Sequence, residues 1–299
     1  MDPVRVALFA PGVNDKVMVK AFTAGADAVI LDLEDSVPHA RKGEARDLVA
    51  ARIDARAAGG PAAAPPAVYV RLNNGATGHL AADVAAVVRR GLDAVIMPKV
   101  ESADEVREAE RAIVAHEAAH AMPAGSVAII LMIESALGVH RCYDLARASP
   151  RVAAVCIGSA RDGDLQTDLG CAWSIEGTEL IYARQKVLLD TRAAGSHLLP
   201  LDGVFGDLAD EAGLIADTRL SARLGYVGRT VIHPKQIAPV RAAYAVAAED
   251  VAAYEKMVAA FEAAEKSGVA AIAVDGKLVD YAMYQRAKRV LATAALDRR

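Results

Sequence analysis

Val127-Ala128-Ile129-Ile130-Leu131-Met132-Ile133-Glu134-Ser135 is an unbroken apolar run that stops at a carboxylate. No polar residue alternates within it, which is the pattern of a parallel strand covered on both faces. A second segment of the same kind follows. The apolar run at 152–157 leads into Gly158-Ser159-Ala160-Arg161-Asp162-Gly163-Asp164. Two acidic side chains at like ends of neighbouring buried strands can hold one hard cation through oxygen ligands, leaving the rest of its shell open to substrate.

The same apolar pattern recurs outward from this pair, at residues 4–10, 28–33, 67–72, 94–98, 127–133, 152–157, 203–205 and 230–232. Segments of helical composition separate the runs, notably 14–24, 80–90, 103–119 and 176–194. Alternating β and α units predict an α/β fold with a parallel sheet, either closed as a (β/α)₈ TIM barrel or open and doubly wound. The polar residues decide for the barrel, whose chemistry gathers at the carboxyl ends of its strands. Pro11-Gly12 follows the first run, Asp32, Glu34 and Asp35 end the second, and Arg71 and Asn73 end the third. Lys99 follows the fourth, Glu134 ends the fifth, Asp164 lies beyond the sixth, Asp207 follows the seventh and His233 the eighth. A single mouth would collect them all.

Beyond about residue 240 the pattern changes to two helices, at 247–266 and 281–295, joined by the segment 268–280. The expected domains are a barrel over 1–240 and a C-terminal helical extension over 241–299. The Ala-, Gly- and Pro-rich stretch 57–66 is expected to be a loop inserted before the third strand.

A chain of 299 residues suits one such barrel. Its composition, 54% hydrophobic and only 4% aromatic, demands an aliphatic core. The net charge of −4 carries no basic stripe or acidic tail, so neither nucleic acid nor a membrane surface is an expected partner, and a small molecule is. Cys142, Cys156 and Cys171 lack metal-type spacing, and their odd number fits a reduced compartment. The beginning of the chain lacks the charged-then-apolar pattern of a signal segment, and no apolar run reaches the ~18 residues of a spanning helix. A cytoplasmic location is expected.

Several short motifs carry a family resemblance in their order and spacing. They are Arg5-x-x-Leu8-Phe9-x-Pro11-Gly12, the run from Gly25 to Asp35, Val70-Arg71-Leu72-Asn73, Met97-Pro98-Lys99-Val100-Glu101-Ser102 and Ile133-Glu134-Ser135. Asp168-Leu169-Gly170, Ile232-His233-Pro234 and the run from Asp275 to Asp280 complete the set. Together they span nearly the whole chain and resemble the citrate lyase beta-subunit-like family of the HpcH/HpaI aldolase superfamily, which includes malyl-CoA and citramalyl-CoA lyases. The resemblance implies a (β/α)₈ barrel, a homo-oligomer such as a trimer or hexamer, and Mg²⁺-assisted cleavage of a carbon–carbon bond beside a thioester.

Within that frame Glu134 and Asp164 are the expected metal ligands, because two carboxylates plus waters and substrate suit Mg²⁺. Relatives usually show a shorter Gly-x-x-Asp, and keeping the four-residue step to Asp168-Leu169-Gly170 selects Asp164. Asp162 remains a competitor. Arg71 would grip the oxo-acid portion or form a structural ion pair with Asp32, Glu34 or Asp35. Glu34 and Asp35 would hold metal-bound water or orient Arg71. The resemblance puts Arg5 and Lys16 near the coenzyme A phosphates and makes Asp275 the acid/base group, commonly delivered onto a neighbouring subunit's barrel. By itself Asp275-Gly276 is a turn signal.

His116-Glu117-Ala118-Ala119-His120 matches the H-E-x-x-H zinc pattern, yet it ends the helix at the barrel's amino side, where a solvated helix end is expected. His233 reads as a structural histidine, and Trp173 as a pocket wall. The expected reaction is retro-Claisen cleavage of a 3-hydroxyacyl-CoA thioester, of malyl-CoA or citramalyl-CoA type, to acetyl-CoA and a 2-oxo acid. The alternatives are a citrate lyase beta subunit acting on citryl bound to an acyl carrier protein, and a catalytically silent acyl-CoA-binding barrel.

Overall fold

In the computed structural model, which describes residues 4–59, 66–266, 268 and 271–296, eight parallel strands close on themselves in sequence order. They are β1 (Val6–Pro11), β2 (Ala28–Asp32), β3 (Ala67–Arg71), β4 (Ala94–Met97), β5 (Ala128–Ile133), β6 (Val152–Ile157), β7 (Leu199–Asp202) and β8 (Gly228–Val231). Pairing of β1 with β8, Val6 opposite Arg229, shuts the ring. Helices between the strands include α1 (Asp15–Ala21), α2 (Lys42–Ala58), α3 (Leu80–Val87), α4 (Ala103–Ala119) and α5 (Ala136–Ala146). They continue with α6 (Asp164–Leu169), α7 (Ile181–Ala194), α8 (Glu211–Leu224) and α9 (Ile237–Tyr244). The barrel anticipated from the strand-end pattern is the observed fold.

Side chains two apart on a strand share a face, and this parity separates the barrel's interior from its outer layer. Ala7, Ala28, Ala94 and Ala154 pack inside with Ile30, Tyr69, Ile96, Ile130, Met132, Cys156 and Leu201. Alanines open the filling and larger residues follow toward the carboxyl ends. Continuing the inner parity by one step reaches Asp32 after Ile30, Arg71 after Tyr69, Glu134 after Met132 and Gly158 after Cys156. The mouth chemistry is therefore the top layer of the core.

The seventh strand lies earlier than expected. Its residues are Leu199–Asp202, not 203–205, so Asp207 is an exposed loop residue and the polar strand end is Asp202, fully buried. Pro200 and the aspartate disguise the run, since proline lacks the ladder donor and is unusual inside a sheet. Proline's missing N–H does no harm here. Its carbonyl accepts from Val227 N at 3.0 Å and so still serves the neighbouring strand.

Contacts divide the chain into units Met1–Ala243 and Tyr244–Arg299. The second contains α10 (Ala248–Glu265) and α11 (Tyr281–Leu296), with an antiparallel hairpin of β9 (Ile272–Val274) and β10 (Lys277–Val279) between them. Phe261, Val279 and Tyr284 form its small core. The extension expected to be helical thus also carries a hairpin. Asp275 and Gly276, with φ of 48° and 74°, occupy its two-residue turn, the positive-φ geometry that Asp-Gly favours. Of the loop expected at 57–66, residues 57 and 58 end α2, and 60–65 lie outside the described residues. Among the described residues no helix is long and apolar enough to cross a membrane.

Candidate active site

The mouth is built around Arg71 at the end of β3. Its Nε and Nη2 donate to Asp32 Oδ1 and Oδ2 at 2.7 and 2.9 Å, while Nη1 lies 2.8 Å from Glu34 Oε2. The guanidinium also stacks 4.9 Å from the Phe9 ring centroid. Of the two expected readings of Arg71 the ion pair is the one observed, and the residue stands at the mouth with further N–H groups on Nη1 and Nη2.

Asp32 is 1% exposed and fully satisfied. Besides Arg71 it accepts from Ser36 Oγ at 2.5 Å and from the backbone N–H groups of Glu34 and Ser36. Burial pushes its carboxyl up, but the Arg71 and Ser36 bonds outweigh that and hold it below the usual range. Glu34 behaves oppositely. Burial raises its pKa despite Arg71 and despite Lys99, whose Nζ lies 2.9 Å from Oε1. Lys42 pins this corner by donating to the carbonyls of Leu33 and Glu34 at 2.7 and 2.8 Å.

Glu134 sits across the mouth at the end of β5. Its Oε2 is sealed from solvent and, among the described residues, has no hydrogen-bond partner. Burial pushes the carboxyl up to about 8, with Arg71 and Lys99 opposing the push and Glu34 and Asp164 adding to it. Gly158 of the neighbouring strand end is what makes room: a Cβ there would lie 2.6 Å from Glu134 Cγ. Its N–H donates to Ile133 O at 2.8 Å and ties the two strand ends together.

Asp164 opens α6 and meets Lys99 Nζ at 3.2 Å, so it faces the same cluster as Glu34. Asp162, with φ of 59°, points elsewhere. Its side chain is 83% exposed and pairs with Arg161 at 3.6 Å. The Asp168-Leu169-Gly170 motif acts through the aspartate, which accepts from Ala136 N at 2.7 Å and joins α6 to the start of α5. Ser135 caps α5 through Gly138 N. The chain after Glu134 is thus held by ordinary capping, whereas α6 starts after Gly163 with no side-chain cap bond.

Glu134 and Asp164 fit a hard divalent cation. One carboxylate oxygen is orphaned, its neighbour is a glycine, and both side chains are oxygen donors of the kind Mg²⁺ takes. Among the described residues no group of three or more His, Cys, Asp or Glu is arranged to hold a metal, so waters and substrate would complete the shell.

Other expected residues lie apart. Arg5 precedes β1 at the barrel's amino end, 5% exposed, with Nη1 donating to Val227 O at 2.8 Å. It is not at the mouth. Lys16 is exposed on the first turn of α1, which follows β1 at the mouth side. Asp275 is exposed and pairs with Lys256 at 2.5 Å within the second unit. Asn73 is turned to α3, where its N and Nδ2 donate to Asp83 Oδ2. His233 caps the turn Pro234–Gln236, its Nδ1 accepting from Lys235 N. Trp173 lines a cavity of ≈ 60 Å³ with Ser159, Arg161 and Phe205.

The H-E-x-x-H helix end is not a solvated one throughout. Glu117 is 2% exposed, forms two bonds of 2.8 and 2.6 Å with Arg151, and accepts from Gly125 N and Val127 N. It fastens α4 to the start of β5. Burial opposes its ionisation, but these donors hold the carboxyl at about 2.

Two mouth positions and one buried ion-pair residue were not assigned a role from sequence: Lys99 as partner of three carboxylates, Gly158 as the floor under Glu134, and Asp202. The last accepts from Ser159 Oγ at 2.8 Å and pairs with Arg184, which with Arg229 also holds Asp217. Strand parity could have found Gly158. Nothing local could have found Asp202, because its partners come from the loop after β6 and from α7.

Known proteins share this architecture. The HpcH/HpaI aldolase/citrate lyase family pattern matches residues 5–234, and that of the C–C bond lyase of the TIM-barrel fold matches 187–297. Citrate lyase subunit beta of Leuconostoc mesenteroides subsp. cremoris is 34% identical over 97% of this chain and 93% of its own. The L-malyl-CoA/beta-methylmalyl-CoA lyase of Cereibacter sphaeroides is 32% identical over 98% and 95%. Among solved structures, CitE of Mycobacterium tuberculosis in complex with magnesium, acetoacetate and coenzyme A is 29% identical over 98% of both chains, with a TM-score of 0.74.

Proposed function

Since the chain belongs to the HpcH/HpaI aldolase/citrate lyase family, we propose that it is a Mg²⁺-dependent lyase that cleaves a 3-hydroxyacyl-CoA thioester of malyl-CoA or citramalyl-CoA type. The products are acetyl-CoA and a 2-oxo acid. The observation that carries this reading is the sealed, unpartnered Oε2 of Glu134 at the carboxyl end of β5, beside Asp164 and the Arg71 cluster. CitE with magnesium, acetoacetate and coenzyme A supports the same chemistry by likeness.

Glu134 and Asp164 would hold Mg²⁺, which when bound supplies Lewis-acid polarisation of the substrate oxygen that becomes a carbonyl. Arg71, kept charged by Asp32 and Glu34 in spite of its burial, offers its remaining N–H groups to the oxo-acid oxygens. Asp32 fixes the orientation of that fork, and Glu34, with its raised pKa, is placed to accept or lend a proton beside it. Lys16, on the first turn of the helix after β1, is a candidate for the phosphates of coenzyme A. Asp275 is proposed to return a proton to the α-carbon of the acetyl thioester once the bond has broken, contributed by another copy of the chain in a homo-oligomer.

Purified protein should lose turnover of malyl-CoA and citramalyl-CoA in both Glu134→Ala and Asp164→Ala. Full activity in both would sink the reading. The likeness to a citrate lyase subunit beta favours a second carrier, citryl on an acyl carrier protein. Offering the chain alone both carriers separates the two.

A further inference from the structure

Lys99 stands where the acidic groups of the mouth converge. Its Nζ lies 2.9 Å from Glu34 Oε1, 3.3 Å from Asp35 Oδ1 and 3.2 Å from Asp164 Oδ2. Its backbone is left-handed, with φ of 51°, a region that side-chain-bearing residues enter only when the surroundings impose it. Asn74 helps to impose it. The Nδ2 group bonds to the carbonyls of Pro98 and Lys99 at 3.2 and 3.1 Å. The turn after β4 is thus fixed so that the ammonium reaches across from the β2 loop to α6.

We propose that Lys99 is the resident counter-cation of the metal site, holding Asp164 against Glu34 while no divalent ion is bound and leaving Asp164 when one enters. This rests on the reading of Glu134 and Asp164 as metal ligands. Arg71 is committed to Asp32 and Glu34, so among the described residues Lys99 is the cation paired with Asp164. Without it, Asp164, Glu34 and Asp35 would crowd one corner of the mouth with less positive charge beside them. A divalent ion bound to Asp164 competes with the ammonium for the same carboxylate and repels it. Lysine suits the exchange, being a compact charge on a flexible stem, and its side chain is 29% exposed, which leaves a way out toward solvent. The consequence is a pre-formed site whose ion is bound less tightly than the bare carboxylates would bind it.

The test is Mg²⁺ titration by calorimetry of wild-type, Lys99→Met and Lys99→Arg protein, with melting of each in EDTA. Lys99→Met should bind Mg²⁺ about tenfold more tightly or better, since a like charge has been removed from beside the ion. Its metal-free form should melt below wild type, and Mg²⁺ should raise its melting point by more than it raises that of wild type. Lys99→Arg should keep both properties near wild type. Unchanged or weaker Mg²⁺ binding by Lys99→Met overturns the proposal. Crystals of the wild-type protein soaked in Mg²⁺ test it with no variant: Nζ still bonded to Asp164 beside the ion refutes it. Mg²⁺ binding that survives in Glu134→Gln would refute the carboxylate site itself, and the Lys99 inference with it.

Discussion

Gly158→Ala adds one methyl group directly under the side chain that carries the proposed chemistry. The new Cβ would lie 2.6 Å from Glu134 Cγ, 3.2 Å from Oε1 and 3.4 Å from Cβ. Carbon atoms in contact prefer about 3.5–4.0 Å, so Glu134 Cγ must retreat by about 1 Å. The backbone cannot easily yield in its place, because Gly158 N is bonded to Ile133 O at 2.8 Å and that bond is part of the barrel wall. A misplacement of about 1 Å at a reacting centre costs roughly 10²-fold in rate, or about 2.7 kcal/mol of barrier. Overpacking of this kind costs about 1–3 kcal/mol of stability, a modest part of a domain's total. The expected result is a folded variant, melting a few degrees lower, whose turnover has fallen about 10²-fold and whose Mg²⁺ affinity by calorimetry has fallen with it. Wild-type turnover with wild-type Mg²⁺ affinity would refute the claim that Glu134 works from this position.

Other outcomes follow from the same geometry. Arg71→Lys keeps the charge but loses the two-bond grip on Asp32, and kcat should drop by about 10²–10³-fold without unfolding. Glu117 titrates at about 2, below its ordinary 4.5, which corresponds to about 3 kcal/mol of stability. A lowered carboxyl stabilises above its unfolded pKa, so urea melts of the wild type should weaken as pH falls from about 4.5 toward 2, and the slope in Glu117→Gln should be shallower by this residue's share, the other lowered carboxyls such as Asp32 keeping theirs. The metal-free Glu134 carboxyl, up at about 8, is protonated at neutral pH, so Mg²⁺ should bind more tightly as pH rises toward 8 and release a proton. Calorimetry in buffers of different ionisation enthalpy counts that proton, and zero release would contradict it. Asp275→Asn should lower turnover by about 10²–10⁴-fold with Mg²⁺ affinity intact. If another copy supplies Asp275, mixed oligomers of Asp275→Asn and Glu134→Gln regain activity that neither has alone.

The barrel and most of its rim were legible because they rest on local regularities. Continuous apolar runs mark parallel strands, and a charged residue at the end of such a run has few reasons to be there except chemistry. β7 escaped that rule because Pro200 and Asp202 interrupt its apolar character, and the next apolar residues were read as the strand. Arg5 matches its motif but precedes β1, so it falls at the amino end, with the length of a strand between it and the mouth. Glu117 looked like half of a zinc motif, yet its partner Arg151 is 34 residues away and no helical spacing points to it.

What the chain's sequence determined by itself was therefore the repeating β-α order, the sidedness of the mouth and the carboxylate at its centre, all of which follow from continuous apolar runs and from the chemistry at strand ends. Tertiary structure decided how those groups are paired. That Asp164 meets Lys99 while Asp162 turns to solvent depends on the left-handed turn at Asp162 and on the reach of a lysine from β4. That Glu134 keeps an unpartnered oxygen depends on Gly158 from the adjacent strand. Ion pairs and close approaches across strands hinge on distances of a few ångströms between segments far apart in the chain, and only the closed barrel sets those distances.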